Sequence, residues 1–336
     1  MNRLKLLSLI FLLGFYACES GYKKKLKIDT TALKTQELVI KQYGKALFEA
    51  DTSRLQHALK ILQPEFPQFL MADLNNPANI QQLYDFVSDT FLIGLNQRCR
   101  RVYPDIQKLE QDLLPVFQHF EHYYPDQELP PVFTYISGLN YEMPIIVGED
   151  AIAIGLDNYL GAGEAVYDQV GIPKYMSFRM KPDHLPRDVA AAIYEAFLPG
   201  QQNPVTILDE LVQSGKKLFF IEAMLPDISD EVLLGYRPEQ LQWAREHEGD
   251  IWAFLVGDQL LYANDFDAFK KLFADGPFSQ EFDPKAPARL GDFIGLQMIR
   301  NYALHHNDFC LKKLIKAQDA QEILIAARYK PAKSKR

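Results

Sequence analysis

Residues 144–156, PIIVGEDAIAIGL, hold the clearest change of period in the chain. Two short β-branched runs, Ile145–Val147 and Ala151–Ile154, flank a Gly148-Glu149-Asp150 turn, which predicts two strands joined by a tight connection. Just upstream, Pro131 to Ile136 (PVFTYI) is also β-rich. Leu38 to Tyr43 makes a further short strand candidate. Around this β segment the apolar spacing is helical. It recurs over Ser53–Leu62, Leu83–Leu95 and Pro104–Tyr123, then over Pro186–Leu198, and over Ile207–Gly215 and on through Phe219–Leu225. Beyond these lie Pro238–Leu261, Asp265–Leu272, Ala288–Leu304 and Asp319–Ala327. The helix from Pro104 to Tyr123 is the most plainly amphipathic, with Ile106, Leu109, Leu113, Val116, Phe117 and Phe120 on one face. The expected class is α+β, mostly helical with a small β-sheet.

The amino terminus has a different logic. Arg3 and Lys5 precede an apolar run from Leu6 to Tyr16, too short to span a bilayer but of the length of a secretory h-region. Phe15-Tyr16-Ala17-Cys18 then puts a small residue and a cysteine where a signal is cleaved. This resembles the lipobox of bacterial lipoproteins, which implies that Cys18 becomes an acylated mature N-terminus. Several acyl chains, at about 0.8 kcal/mol per buried methylene, make such an attachment effectively permanent. The expected organisation is a signal peptide over 1–17, a lipid-anchored tether over 18–34, a single globular domain over 35–329 and a basic tail over 330–336. The run Lys23-Lys24-Lys25-Leu26-Lys27 is drawn to anionic head groups if it lies beside a bilayer, but charge runs are usually solvated, and the expectation is a solvated tether.

Loss of residues 1–17 removes Arg3 and Lys5 and leaves 34 basic and 44 acidic side chains, a formal charge of −10. Nucleic acid is thereby excluded as a natural partner. The chain has 336 residues, 48% of them hydrophobic, enough for a large core. Of the three cysteines, Cys18 is assigned to lipid. Cys99 and Cys310 have the alternatives of a disulfide or two buried free thiols, and the free thiols are expected.

The order of strand, second strand and helix ahead of residue 198 invites comparison with metallopeptidases. There, His-Glu-x-x-His sets two imidazoles at i and i+4 on one helical face, with the glutamate as general base. Here the helix reads DVAAAIYEAFL, residues 188–198. Tyr194 and Leu198 stand where the histidines would be, and neither replaces a neutral imidazole as a zinc ligand. Glu195 alone remains. Glu248 stands where a third ligand would fall, but without the first two no tetrahedral site forms. His119 and His122 are i, i+3 neighbours without a local carboxylate motif, and read as boundary histidines. His184, His247 and the His305-His306 pair form no cluster. Phosphate loops and serine elbows are absent, and no cofactor is expected.

Several stretches together resemble GldB, the gliding-motility lipoprotein family of Bacteroidota. They are the lipobox, Gly155–Gly161, Gly215–Phe220, Leu225-Pro226, Gly235-Tyr236, Glu248–Trp252, Gly276–Ser279, Pro287–Gly295 and Tyr329–Pro331. The resemblance runs over nearly the whole chain. It implies an envelope lipoprotein required for gliding and linked to type IX secretion, with protein partners in that machinery. It also implies a distant similarity to zinc metallopeptidases, so that the fold is a degenerate zincin-like architecture with vestigial metal-site positions Tyr194, Glu195, Leu198 and Glu248. The expectation is a non-enzymatic accessory protein whose old cleft either binds a partner or is filled with core. The alternative is an envelope hydrolase with a site of another kind. Glu19 and Ser20, in place of an inner-membrane retention aspartate, point to the outer membrane, and the basic run after Cys18 points to its periplasmic face.

Overall fold

A computed structural model describes residues 21–198, 204–257, 259–279 and 282–331. The signal segment, Cys18 and tail residues 332–336 lie outside the described residues.

The 144–156 stretch folds as read. Strand β3 (Ile145–Val147) runs antiparallel to β4 (Ile152–Gly155), with Ile146 opposite Ala153, and the Gly148 N–H donates to Ala151 O at 2.8 Å. β4 is buried along its length because it is an inner strand. On its other side it pairs in parallel with β2 (Val132–Tyr135), and β2 pairs in parallel with the two-residue β1 (Ile40–Lys41). The order is β1-β2-β4-β3.

Alternation along β2 divides the core. Val132 faces the main cluster, whereas Phe133 faces a smaller one with Tyr43, Leu47, Leu59, Phe66 and Leu70, where Tyr43 stacks on Phe69 at 4.2 Å. The amino-terminal helices build both layers. They are α1 (Lys23–Leu26), α2 (Tyr43–Phe48), α3 (Leu55–Leu62), α4 (Pro77–Ser88), α5 (Thr90–Val102) and α6 (Ile106–Tyr123). The α6 face is as expected, with Leu109, Leu113, Val116, Phe117 and Phe120 buried.

After the sheet come α7 (Ala165–Gln169), α8 (Lys174–Ser177), α9 (Leu185–Phe197) and the 18-residue α10 (Ile207–Met224). α10 is the axis of the main core. Leu218 to Met224 are all buried, so it is enclosed on every side rather than amphipathic. It starts on a capping box in which Thr206 and Asp209 exchange hydrogen bonds. Its closest neighbour is α15 (Leu290–His305). Between them in sequence lie α11 (Asp230–Leu234), α12 (Pro238–Glu246), α13 (Glu248–Gly257) and α14 (Phe266–Phe273). α16 (Leu311–Lys316) and α17 (Ala320–Ala327) close the chain. Helices make up 58% of the structure, and the α+β class holds.

Three expectations need correction. The helical spacing over Leu83–Leu95 spans two helices, because Asp89 is extended and its carboxylate caps α5 through Phe91 N and Leu92 N, at 2.7 and 3.0 Å. The Pro238–Leu261 pattern likewise breaks at His247, whose ring stacks on Trp243 and donates from Nδ1 to Trp243 O at 2.8 Å. The helical spacing read over Ile207–Gly215 and on through Leu225 is, as expected, one helix. Gly215 sits where α15 crosses, and an added Cβ there would stand 2.3 Å from Gly295 O. Finally, Tyr22 to Leu26 are not solvated tether. Tyr22 and Leu26 are buried, Tyr22 donates to Glu222 at 3.1 Å, and the Lys25 ammonium caps the end of α15 at Ala303 O and His306 O.

Candidate functional site

The turn that follows β4 builds a rigid floor. Asp157 is fully buried and accepts from Ser137 N, Ser137 Oγ and Leu139 N at 2.8, 3.0 and 2.6 Å, pinning the left-handed Gly138-Leu139 turn. Burial raises the Asp157 pKa, and these hydrogen bonds oppose the rise. Asn158 donates to Ser137 Oγ and Gly155 O, while its Oδ1, buried, has no hydrogen-bond partner among the described residues. Gly155 has no room for a side chain: a Cβ would meet Ser137 Cβ at 2.9 Å. Tyr159 then donates to Asp188 Oδ2 at 3.0 Å, tying the floor to the first turns of α9.

Above this floor opens a cleft of about 150 Å³, lined by Asn158, Tyr159, His184, Asp188 and three arginines, Arg179, Arg187 and Arg289. Each arginine comes from a different segment. Arg187 bonds Asp188 at 2.9 Å and Leu233 O at 3.2 Å. Arg289, left-handed at φ 57° just before α15, donates to Leu234 O at 2.6 Å and to Asp292 at 3.4 Å. Arg179 ion-pairs with Asp275, and Arg289 Nε lies 3.3 Å from the same carboxylate. Gly235 caps α11 in the left-handed region, and a Cβ there would lie 2.7 Å from Arg179 Cδ, so glycine serves both the turn and the passage of the arginine.

The cleft continues past Gly235 toward Arg237, whose guanidinium lies over the Phe178 ring at 4.2 Å. Burial lowers the Arg179 pKa, and the adjacent Arg289 lowers it further. For Arg289, burial pulls downward and is outweighed by Asp292, Tyr236 and Asp275, so its pKa rises. His184 is buried and pushed down to about 4, against the pull of Asp188 and Asp183, so it stands neutral. Two guanidinium groups thus share one carboxylate, Asp275, whose side chain is 37% exposed. An outside carboxylate or phosphate would have to take the place of Asp275 to be held by the two forks, since Arg289 is also paired with Asp292 and Arg187 with Asp188.

The positions singled out by the sequence lie elsewhere. Tyr194 is buried with its ring 5.3 Å from Phe220. Leu198 ends α9 half-buried against the core. Glu195 is 63% exposed and ion-pairs with Lys217 of α10. Glu248, at the start of α13, accepts from Tyr329 at 2.7 Å, and burial raises its pKa. None of the four lines the cleft. His119 is turned back on Pro115 O at 2.8 Å and lines a separate groove of about 760 Å³ with Lys27, Ile28 and Pro226, while His122 lies edge-on to Tyr123. Among the described residues no group of three or more His, Cys, Asp or Glu side chains is placed to hold a metal. Cys99 and Cys310 are free thiols, Cys99 buried and Cys310 half-buried.

Fold and cleft together define a helix-rich α+β domain with an arginine-lined recess, and among its described residues no helix is long and apolar enough to cross a membrane. Residues 23–331 match the family of gliding motility protein GldB, and the chain belongs to it. No curated protein and no solved structure matches it. Four of the stretches that carried the resemblance converge in space: Asn158 and Tyr159, Gly235, Gly276-Pro277 and Ala288-Arg289 line the cleft or its continuation. Of its arginines only Arg289 lies in a stretch singled out by sequence. Arg179, Arg187 and Arg237 carry no local spacing signal.

Proposed function

We propose that this protein is a lipid-anchored, non-enzymatic accessory component of the gliding motility and type IX secretion machinery, held at the periplasmic face of the outer membrane through acylated Cys18. In this reading the arginine cleft receives an acidic segment of a protein partner. Family membership supports the motility role. The observation that carries the non-enzymatic part is the fate of Glu195: its carboxylate is spent on Lys217 at the surface, between a buried Tyr194 and a core-packed Leu198. A general base needs a substrate within hydrogen-bond reach, and this one faces none of the cleft. A degenerate zincin-like scaffold is the architecture proposed, supported by the antiparallel edge strand β3 packed beside α9.

Complementation of a null strain tests both halves, with each variant checked for expression. Glu195→Gln is expected to restore gliding in full. Arg179→Glu, which places a carboxylate beside Asp275, is expected to abolish partner capture and gliding. A normally folded Glu195→Gln protein as immotile as the null strain refutes the non-enzymatic reading in favour of a hydrolase. Unimpaired gliding with Arg179→Glu refutes the cleft as the docking site. Release of Cys18→Ser from membranes washed at high salt, where the parent stays bound, with an acylated N-terminus by intact mass in the parent, tests the anchor.

A further inference from the structure

We infer that the face formed by α1, the end of α15 and α16 rests directly on the anionic head groups of the membrane that holds the lipid. The inference rests on the anchor reading for Cys18 and adds to it the orientation of the whole domain.

The reach of the chain sets the geometry. Four Cα steps separate Cys18 from Tyr22, and at about 3.3–3.6 Å each they span at most about 14 Å. A free tether through residue 34 would reach roughly four times as far. That freedom is removed by the docking of Tyr22 and Leu26. The Tyr22 ring lies 6.1 Å from Phe219 and 5.6 Å from the Arg300 guanidinium, its hydroxyl is bonded to buried Glu222, and Leu26 is fully enclosed. Lys25 fastens the same turn to the last carbonyls of α15. The lipid is therefore held within a few residues of one fixed point on the domain.

The surface around that point has the composition of a membrane-facing patch. Lys24 and Lys27 are exposed beside it. Tyr123 O–H lies 3.5 Å from Leu26 O, and its neighbour Tyr124 carries the Lys312 ammonium 5.3 Å above its ring, next to exposed Lys313. Leu304, 46% exposed, has Cδ1 3.3 Å from where a Gly21 Cβ would stand, so an apolar side chain sits at the anchor point itself. Asp29 and Asp308 are exposed carboxylates of the same segments, outnumbered by the lysines, and Asp112, Asp183 and Asp227 share a groove with Lys27 at the edge of the patch. In a mature chain of net charge −10 this is a basic island. An anionic surface repels the rest of the domain and attracts this face, and both effects act within a Debye length.

The test has two arms. In the first, soluble protein carrying Cys18→Ser is sedimented with vesicles of phosphatidylcholine alone or mixed with phosphatidylglycerol. Binding is expected only with the anionic vesicles, falling about fivefold for each of Lys24→Gln, Lys27→Gln and Lys312→Gln. Lys45→Gln and Lys60→Gln, under the smaller core, are expected to leave it unchanged. In the second arm, the lipidated protein in anionic vesicles carries a fluorophore at Leu304→Cys or at Met71→Cys, both in a Cys310→Ser background. Quenchers attached to head groups are expected to reach only the first. Equal binding to both vesicle types, equal loss with the control lysines, or equal quenching at the two labels overturns the inference. An unmodified N-terminus by intact mass would instead strike the anchor reading, with the first arm still decisive for the face.

Discussion

Where α10 and α15 cross, two glycines face each other so closely that the sign of a Gly→Ala change is inverted from its usual value. An added Cβ at Gly295 would stand 2.1 Å from Leu211 O and 3.1 Å from Gly215 N. Ordinary contact begins near 3.4 Å, so α10 would have to retreat by more than about 1 Å. A radial gap of that size forfeits a quarter to a half of each dispersion contact along the seam, and overpacking of this kind costs about 1–3 kcal/mol. Relief from glycine's poor helix propensity returns about 1 kcal/mol. With the overlap on a backbone oxygen, the upper end of the overpacking range applies, and Gly295→Ala is expected to destabilise by about 2 kcal/mol. Urea titration of the soluble Cys18→Ser chain, followed by the fluorescence of Trp243 and Trp252, measures it. Gly163→Ala, with nothing within 4 Å of the new methyl, is the control and is expected to be neutral or slightly stabilising. If Gly295→Ala instead gains stability as the control does, the close crossing is wrong and the packing of the main core must be redrawn.

Arg300→Met is expected to cost about 3–5 kcal/mol, because Glu222 would keep a buried charge with only the partly exposed Lys23 ammonium 3.9 Å away, and the same urea titration reads it. His184, neutral in the fold at a pKa of about 4, protonates more readily when unfolded, near 6.5. The unfolded chain therefore binds more protons between those values, so stability is full above about pH 6.5 and falls as pH drops through the window, by up to about 1.4 kcal/mol per pH unit. Urea midpoints at pH 7 and pH 5 are expected to differ by less in His184→Gln than in the parent. Protein purified without added metal is expected to carry no stoichiometric zinc by elemental analysis, since Tyr194 and Leu198 are packed into the core.

The elements legible in the sequence are those whose signal is local. The 144–156 hairpin announces itself through β-branched runs about a Gly-Glu-Asp turn, and α6 through its apolar stripe. Asp89 carried a readable capping signal, but continuous apolar spacing masked it. α1 was illegible for a different reason: a lysine-rich turn looks solvated, and its partners Glu222 and Ala303 lie 200 and 278 residues away. The cleft combines both cases. Its floor, Gly155 to Tyr159, stood out as a stretch, whereas Arg179, Arg187 and Arg237 acquire meaning only when separate segments meet around Gly235. The glutamates on α9 and α13 drew the eye by analogy with a zinc helix, and the fold turns one to solvent and half-buries the other against Tyr329.

Glu222 also dictates the order in which this chain can become a protein. Its carboxylate takes Tyr22 on one oxygen and the Arg300 fork on both, at 2.8 and 3.0 Å, so it joins the first described turn to a helix that is made almost last. A chain crossing a membrane amino end first delivers Tyr22 early, Glu222 much later and Arg300 later still. Until Arg300 arrives, burying Glu222 would leave its carboxylate with only the Tyr22 hydroxyl and the partly exposed Lys23 ammonium, 3.9 Å away. The carboxy-terminal layer is therefore fully paired only once Arg300 is in place, and a chain that ends before residue 300 should remain more open to proteases.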